Sequence, residues 1–211
     1  MTDRAADRLV WVDCEMTGLD PTIDELVEVA VVVTDSELVE LDEGCSVVIK
    51  PSDAAFANMN DFVVGLHTAS GLLTEIPSGV DLATAQQQVL AYIQQHIPVP
   101  RKAPLAGSSV YVDRGFLAKY MPDVDEYLHY RVVDVSSFKE LIRRWYPRVY
   151  FAAPEKRGNH RAMADIRESI AEMRYYRAAV MVSGSGPGKS EAQNLAAEHV
   201  VDHGTTAVAD A

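Results

Sequence analysis

Residues 26–34 read LVEVAVVVT, nine positions of which seven are aliphatic and only Glu28 is charged. A Val-rich run of that length is a strand with at least one buried face, and it commits the chain to a sheet covered by another layer. Upstream, Leu9, Val10, Trp11 and Val12 form a second short apolar run, with Asp13 and Glu15 following at its end. Side chains two apart on an extended backbone share a face. The two acids would therefore repel each other across a few ångströms unless a cation lay between them. Thr17, Gly18, Asp20 and Pro21 come next and are turn formers, so the acids also suit a solvated strand-end turn.

The rest of the chain fills in the layers. CSVVIK at 45–50 suggests a third strand, and the intervening DSELVELDEG has the length and polarity of a hairpin, predicting antiparallel pairing. Between 53 and 96 the texture is helical. Ala83, Gln86, Val89, Leu90 and Ile93 recur at three- and four-residue spacing behind a possible N-cap, Asp81. APLAG at 103–107 reads as a buried strand, 110–121 as a helix, and YRVVDVSS as a short strand. SSFKELIRRWY then starts a helix, with Ser137 and Glu140 at capping-box spacing. Residues 160–180 form the clearest helix, with Met163, Ile166, Ile170 and Met173 on one side. Strands first, then helices interleaved with short strands, predict an α/β domain with a mixed sheet over residues 1–182. From 183 to 211 the SGSGPGKSE stretch and the polar, Ala-rich sequence after it read as a disordered tail.

Composition removes several classes. No apolar run approaches the ~20 residues of a membrane span, and MTDRAADR is unlike a secretory signal, so the expected compartment is the cytoplasm. Cys14 and Cys45 stand alone, which argues against a disulfide framework or a structural zinc. Cys14 reads as a small buried residue rather than a catalytic thiol. A net charge of −12 leaves only local basic clusters, such as Arg143 with Arg144. Long duplex nucleic acid, gripped through many phosphates, is therefore not the expected partner.

Two further patches carry chemistry: Asp113 in VDRGF, and His160 with Asp165 in NHRAMADIRES. Four carboxylates and a histidine are suited to metal-assisted phosphodiester hydrolysis, with hard oxygen ligands matching Mg²⁺ or Mn²⁺. His160 and Asp165 are five apart and do not share a helix face. His160 is thus expected at the helix start or on the loop before it, and Asp165 on the first turns. Each residue also has a plainer use: His160 as a surface histidine, Asp165 as an i,i+4 partner of Arg161, and Asp113 as an ordinary helix residue.

WVDCEMTGLD, LHTASGL, VDRGFLAKYMP, HYRVVDVSS and NHRAMADIRES, in that order, resemble the oligoribonucleases, the histidine subtype of the DEDD 3′→5′ exonucleases on a ribonuclease-H-like fold. The likeness spans residues 9 to 180. It implies that Asp13, Glu15, Asp113 and Asp165 hold two Mg²⁺ or Mn²⁺ ions and that His160 is the general base. It further implies that Leu19 and Phe62 hold the bases of a very short RNA and that His67 contacts substrate. Ser109, Arg131, Ser136 and Lys139 would cap a 5′-phosphate. The protein would be a homodimer in which Tyr130 enters the neighbouring subunit's site. Phe62 stands where the family usually has Trp, and Ser108 where it usually has Asn. Core packing for Leu19 and Phe62, a loop-fixing role for His67 and a surface pair for Tyr130 and Arg131 are the plainer alternatives. A DNA-directed exonuclease and a non-catalytic nucleotide-binding protein are the competing functions.

Overall fold

The computed structural model describes residues 7–155 and 160–200. In chain order the elements are β1 (Leu9–Met16), β2 (Leu26–Thr34), β3 (Cys45–Val48), α1 (Asp53–Ala57), α2 (Asp61–Ala69), α3 (Leu72–Glu75) and α4 (Leu82–His96). They continue with β4 (Pro104–Gly107), α5 (Tyr111–Tyr120), α6 (Pro122–Tyr127), β5 (His129–Asp134), α7 (Val135–Trp145), α8 (Pro147–Phe151) and α9 (Ala162–Val180). The strands form one mixed sheet in the order β3-β2-β1-β4-β5. The β2–β3 pair is antiparallel, as the hairpin spacing predicted, and so is β1–β2, while β1–β4 and β4–β5 are parallel.

All nine residues of β2 are buried, because the sheet is covered on both sides. Val29, Val31 and Val33 join Val10, Val12 and Cys14 of β1 in one apolar layer with Ala85, Val89 and Ile93 of α4. On the other face Glu28 meets the start of α9 at the Ala162 N–H. Beside Gly44 (φ +84°), a Cβ would lie 2.8 Å from Val32 Cγ2 and 2.9 Å from Met163 Cε, so glycine is required where α9 crosses the sheet. Ile166, Ile170, Met173 and Tyr176 of α9 are buried.

The parallel strand β4 is short. It pairs with β1 only at Val10 and Trp11 and stops at Gly107, where a Cβ would sit 2.8 Å from the Val12 carbonyl oxygen. Beyond that point β1 runs on with one edge open to other partners. Most expected elements are present, including the Asp81 cap, whose carboxylate accepts the Thr84 N–H at 2.8 Å. Three expectations change. β1 continues through Asp13 and Glu15 to Met16, because pairing with β2 persists at Asp13↔Ala30, Cys14↔Val29 and Glu15↔Glu28. The cap of α7 is Asp134, not Ser137, because β5 runs directly into the helix with no intervening loop. Inside the segment read as a disordered tail, residues Lys189–Glu198 form α10, a run rich in Ala, Glu, Gln and Lys, which are good helix formers. None of its residues is buried. Residues 201–211 lie outside the described residues. Among the described residues, no helix is long and apolar enough to cross a membrane.

Candidate active site

Strand alternation turns Asp13 and Glu15 to the α9 side of the sheet, where Asp165 projects from the first turn of α9. One carboxylate oxygen from each of the three lies within 4.8 Å of the other two, and all three residues are half-buried. A register irregularity between Glu15 and Met16 ends regular pairing at this point, as β-bulges commonly do beside functional sites.

What brings α9 to the acids is a residue that the sequence reading passed over. Glu28 lies directly opposite Glu15 across the β1–β2 pair and is only 1% exposed. Like charges facing each other across strands are destabilising, and Arg161 relieves the conflict. Its Nε and Nη2 donate to Glu28 at 3.2 and 3.1 Å, while Nη1 and Nη2 reach Glu75 at 2.8 and 3.0 Å. Glu28 also accepts the Ala162 N–H at 3.2 Å and the Ser46 hydroxyl at 2.9 Å. A strand carboxylate thus caps the start of α9 and sets where Asp165, three residues on, stands over β1. The side chain of Arg161 serves Glu28 and Glu75, and residues 161 and 165 are joined through the backbone at 3.1 Å. The available signal was Glu28 itself, the one charge within an otherwise uncharged strand.

His160 sits just before α9, as the spacing predicted, exposed and at φ 46°. Asp113 lies outside the three-acid group. It is buried on α5, and its Oδ1 accepts the Cys14 backbone N–H at 2.9 Å on the β1 edge that β4 leaves open. Burial pushes the Asp113 carboxyl up to about 7, against the hydrogen bonds from Cys14 and with help from the charge of Asp134. Glu15 is likewise raised to about 7 by burial, then by Asp165, Glu28 and Asp113, with Arg161 opposing. Burial, then Asp113, Asp13 and Glu15, hold the Cys14 thiol well above its usual range, so it stays protonated and inert.

The donor set fits a hard divalent cation. It consists of carboxylate oxygens without thiol or imidazole, and its members repel one another in a way that a cation would reverse.

Next to the acids is a cavity of ≈ 360 Å³ whose wall includes Glu15, Leu19, Phe62 and His67. Leu19 is 75% and Phe62 73% exposed, which removes core packing as their explanation. Leu19 is held out by a turn built around Asp24, which accepts from the Thr17 hydroxyl at 3.0 Å and the Asp20 N–H at 2.9 Å. A Cβ on Gly18 would fall 2.3 Å from the Asp24 carboxylate, so the turn demands glycine there. His67 is buried, and its Nε2 lies 2.9 Å from the Met16 carbonyl oxygen. A carbonyl only accepts, so Nε2 carries the proton and Nδ1 is the acceptor. Among the described residues, Nδ1 has no hydrogen-bond partner.

The remaining candidates lie toward β5 and α7. Ser109 and Ser136 meet at Asp134, whose Oδ1 accepts both backbone N–H groups, at 3.0 and 2.9 Å. Lys139 pairs with the buried Glu172 at 3.1 Å. Tyr130 and Arg131 are exposed on the edge strand, the guanidinium 5.6 Å from the Tyr130 ring centroid.

Comparison with known proteins agrees with this architecture. The exonuclease family model (RNase_T) matches residues 10–173. An oligoribonuclease of Streptomyces avermitilis is 60% identical over 195 residues, covering 92% of this chain and 98% of that one. An oligoribonuclease of Mycobacterium avium is 54% identical over 192 residues, covering 90% and 89%. Among solved structures, Escherichia coli exonuclease I with zinc ion and single-stranded DNA superposes with a TM-score of 0.64 at 18% identity, over 82% of this chain and 41% of that one. Exonuclease I of Methylocaldum szegediense gives 0.59 at 22%, over 82% and 41%. The chain spans about two fifths of those exonuclease I chains, and a likeness at this identity establishes the fold, which is ribonuclease-H-like. The family-model match and the high identity along nearly the whole length of both oligoribonucleases establish that this chain belongs to the oligoribonucleases of the exonuclease family.

Proposed function

We propose that residues 1–182 form a 3′→5′ exoribonuclease that acts in the cytoplasm and hydrolyses very short oligoribonucleotides, dinucleotides above all, to 5′-mononucleotides. The observation that carries this reading is the convergence of Asp13, Glu15 and Asp165 beside a cavity walled by exposed Leu19 and Phe62. These three acids, with Asp113 beside them, would hold two divalent ions, Mg²⁺ or Mn²⁺. Bound ions would neutralise the scissile phosphate and acidify the attacking water. His160, exposed just before α9, takes the water's proton. Leu19 wedges and Phe62 stacks the bases, a sequence-tolerant contact worth roughly 1–3 kcal/mol per base. His67 offers its Nδ1 as an acceptor in the cavity wall.

Ser109, Arg131, Ser136 and Lys139 bind the substrate's 5′-phosphate. Hydroxyls and cations suit that dianion, and a longer strand would collide with such a cap. Tyr130, 73% exposed on an edge strand, completes the neighbouring subunit's site in a homodimer. The test is a length series of 5′-phosphorylated RNAs, from dinucleotide to decamer, with Mg²⁺ or Mn²⁺ supplied or chelated. The expected result is fastest turnover of the dinucleotide and none in chelator. Faster cleavage of long single-stranded DNA, or hydrolysis that survives chelation, would overturn the reading.

A further inference from the structure

We infer that Asp134 is the positioning residue of the 5′-phosphate cap: its carboxylate is the template that sets Ser109 and Ser136 side by side. The inference rests on the cap proposed above. Asp134 is the last residue of β5 and the N-cap of α7. Its Oδ1 accepts three hydrogen bonds, from the Ser136 N–H at 2.9 Å, the Ser136 hydroxyl at 2.6 Å and the Ser109 N–H at 3.0 Å. The first two are ordinary helix capping. The third is not, because Ser109 lies 25 residues earlier, on the loop between β4 and α5.

That loop needs holding. Ser109 has φ 55°, a left-handed conformation that is costly for a residue with a Cβ and persists where its surroundings impose it. The Ser109 carbonyl in turn accepts the Val112 N–H at 3.0 Å, so the loop fixed by Asp134 leads directly into α5. Gly107 and Asp134 are paired at the carboxyl ends of the parallel strands β4 and β5, and such strand ends are where open α/β sheets bind ligands.

A carboxylate is a poor direct partner for a phosphate dianion, so Asp134 acts through the serines. Its bonds to the two backbone N–H groups hold both loops still. The Ser136 hydroxyl is a rotor, and its proton turns from Asp134 to the phosphate when substrate arrives. Lys139, three residues along α7, shares a helix face with Ser136 and is steadied from behind by Glu172 at 3.1 Å. Asp134 therefore sets the spacing of the cap without touching the ligand.

The experiment compares 5′-phosphorylated and 5′-hydroxyl diribonucleotides on wild type, Asp134→Ser and Asp134→Asn. The readout is the ratio of the two kcat/KM values, taken on one protein sample, so it does not depend on how much of that sample is folded. Serine keeps a cap for α7 but is too short to bridge to Ser109, whereas asparagine keeps the accepting oxygen. Wild type should favour the phosphorylated substrate by roughly tenfold or more, the scale of one or two charge-assisted hydrogen bonds. Asp134→Ser should lose most of that preference while still cleaving the 5′-hydroxyl substrate, and Asp134→Asn should keep it. An Asp134→Ser ratio equal to wild type overturns the positioning role and leaves the cap standing. Loss of the ratio in Asp134→Asn as well overturns the template, because geometry alone would then not account for it. A wild-type ratio near one removes the cap and the inference together.

Discussion

The two faces of β1 are built on opposite terms. On one side Val10, Val12 and Cys14 enter an apolar layer with α4. On the other, one residue out of step, Trp11 is fully buried while Asp13 and Glu15 crowd against Asp165 and Glu28. The first face gains free energy with each square ångström removed from water. The second gives part of it back by holding carboxylates close together. A single strand thus separates stability from chemistry by side-chain alternation alone, and substitutions on its two sides should have opposite consequences.

The strongest break in that contrast is Asp165→Asn. Hydrolysis should fall on the order of 10³-fold, the scale of losing a charge-stabilising group, while the chelated protein melts no lower than wild type because one repulsion has gone. A kinetic assay paired with a melt in EDTA checks both halves; substantial activity in the variant would remove Asp165 from the ligand set. On the apolar side, Ile93→Ala in α4 should destabilise by about 2–5 kcal/mol in urea and leave kcat of the folded fraction unchanged. Glu28→Ala sharpens the comparison, since this residue serves both faces' interests. It should cost about 3 kcal/mol by leaving Arg161 and the start of α9 poorly paired, and should lower activity too. A loss of stability without a loss of rate would sever Glu28 from the site.

Smaller effects follow from titration. Glu15 and Asp113 have carboxyls at about 7 in the folded chain, above their values of 4.5 and 3.8 when free. Between those limits the folded state binds more protons than the unfolded one, so the metal-free protein should lose stability as pH rises from about 4 to about 7 and level off above. The slope is at most about 1.4 kcal/mol per pH unit for each group. Thermal midpoints measured in chelator across that range test it, and saturating Mn²⁺ should flatten the slope. The smallest change is Phe62→Ala, worth roughly 1–2 kcal/mol in substrate affinity. It should raise KM with little change in kcat, and none in the melting midpoint, since the ring is exposed.

The sequence discloses what is local. Asp13 and Glu15 share a face by spacing, His160 precedes α9, and Asp81 caps α4, all as their neighbours along the chain require. What it conceals is long-range. The Asp113–Cys14 bond joins residues 99 apart, and Arg161 finds Glu28 across 133. No periodicity encodes such pairs, so Arg161 looked like a partner for Asp165 and α9 had no visible anchor. The misplaced cap of α7 is a different case. Ser137 and Glu140 have the spacing of a capping box, but the strand before them leaves no room for a loop, and Asp134 takes the position.

The three grouped acids are drawn from β1 and from α9. During synthesis, Asp13 and Glu15 leave the ribosome more than a hundred residues before Asp165 does. The unfinished polypeptide therefore carries an incomplete set of ligands while it is tethered to a particle made largely of RNA. A chain ending before Ala162 should be silent on dinucleotides at any metal concentration.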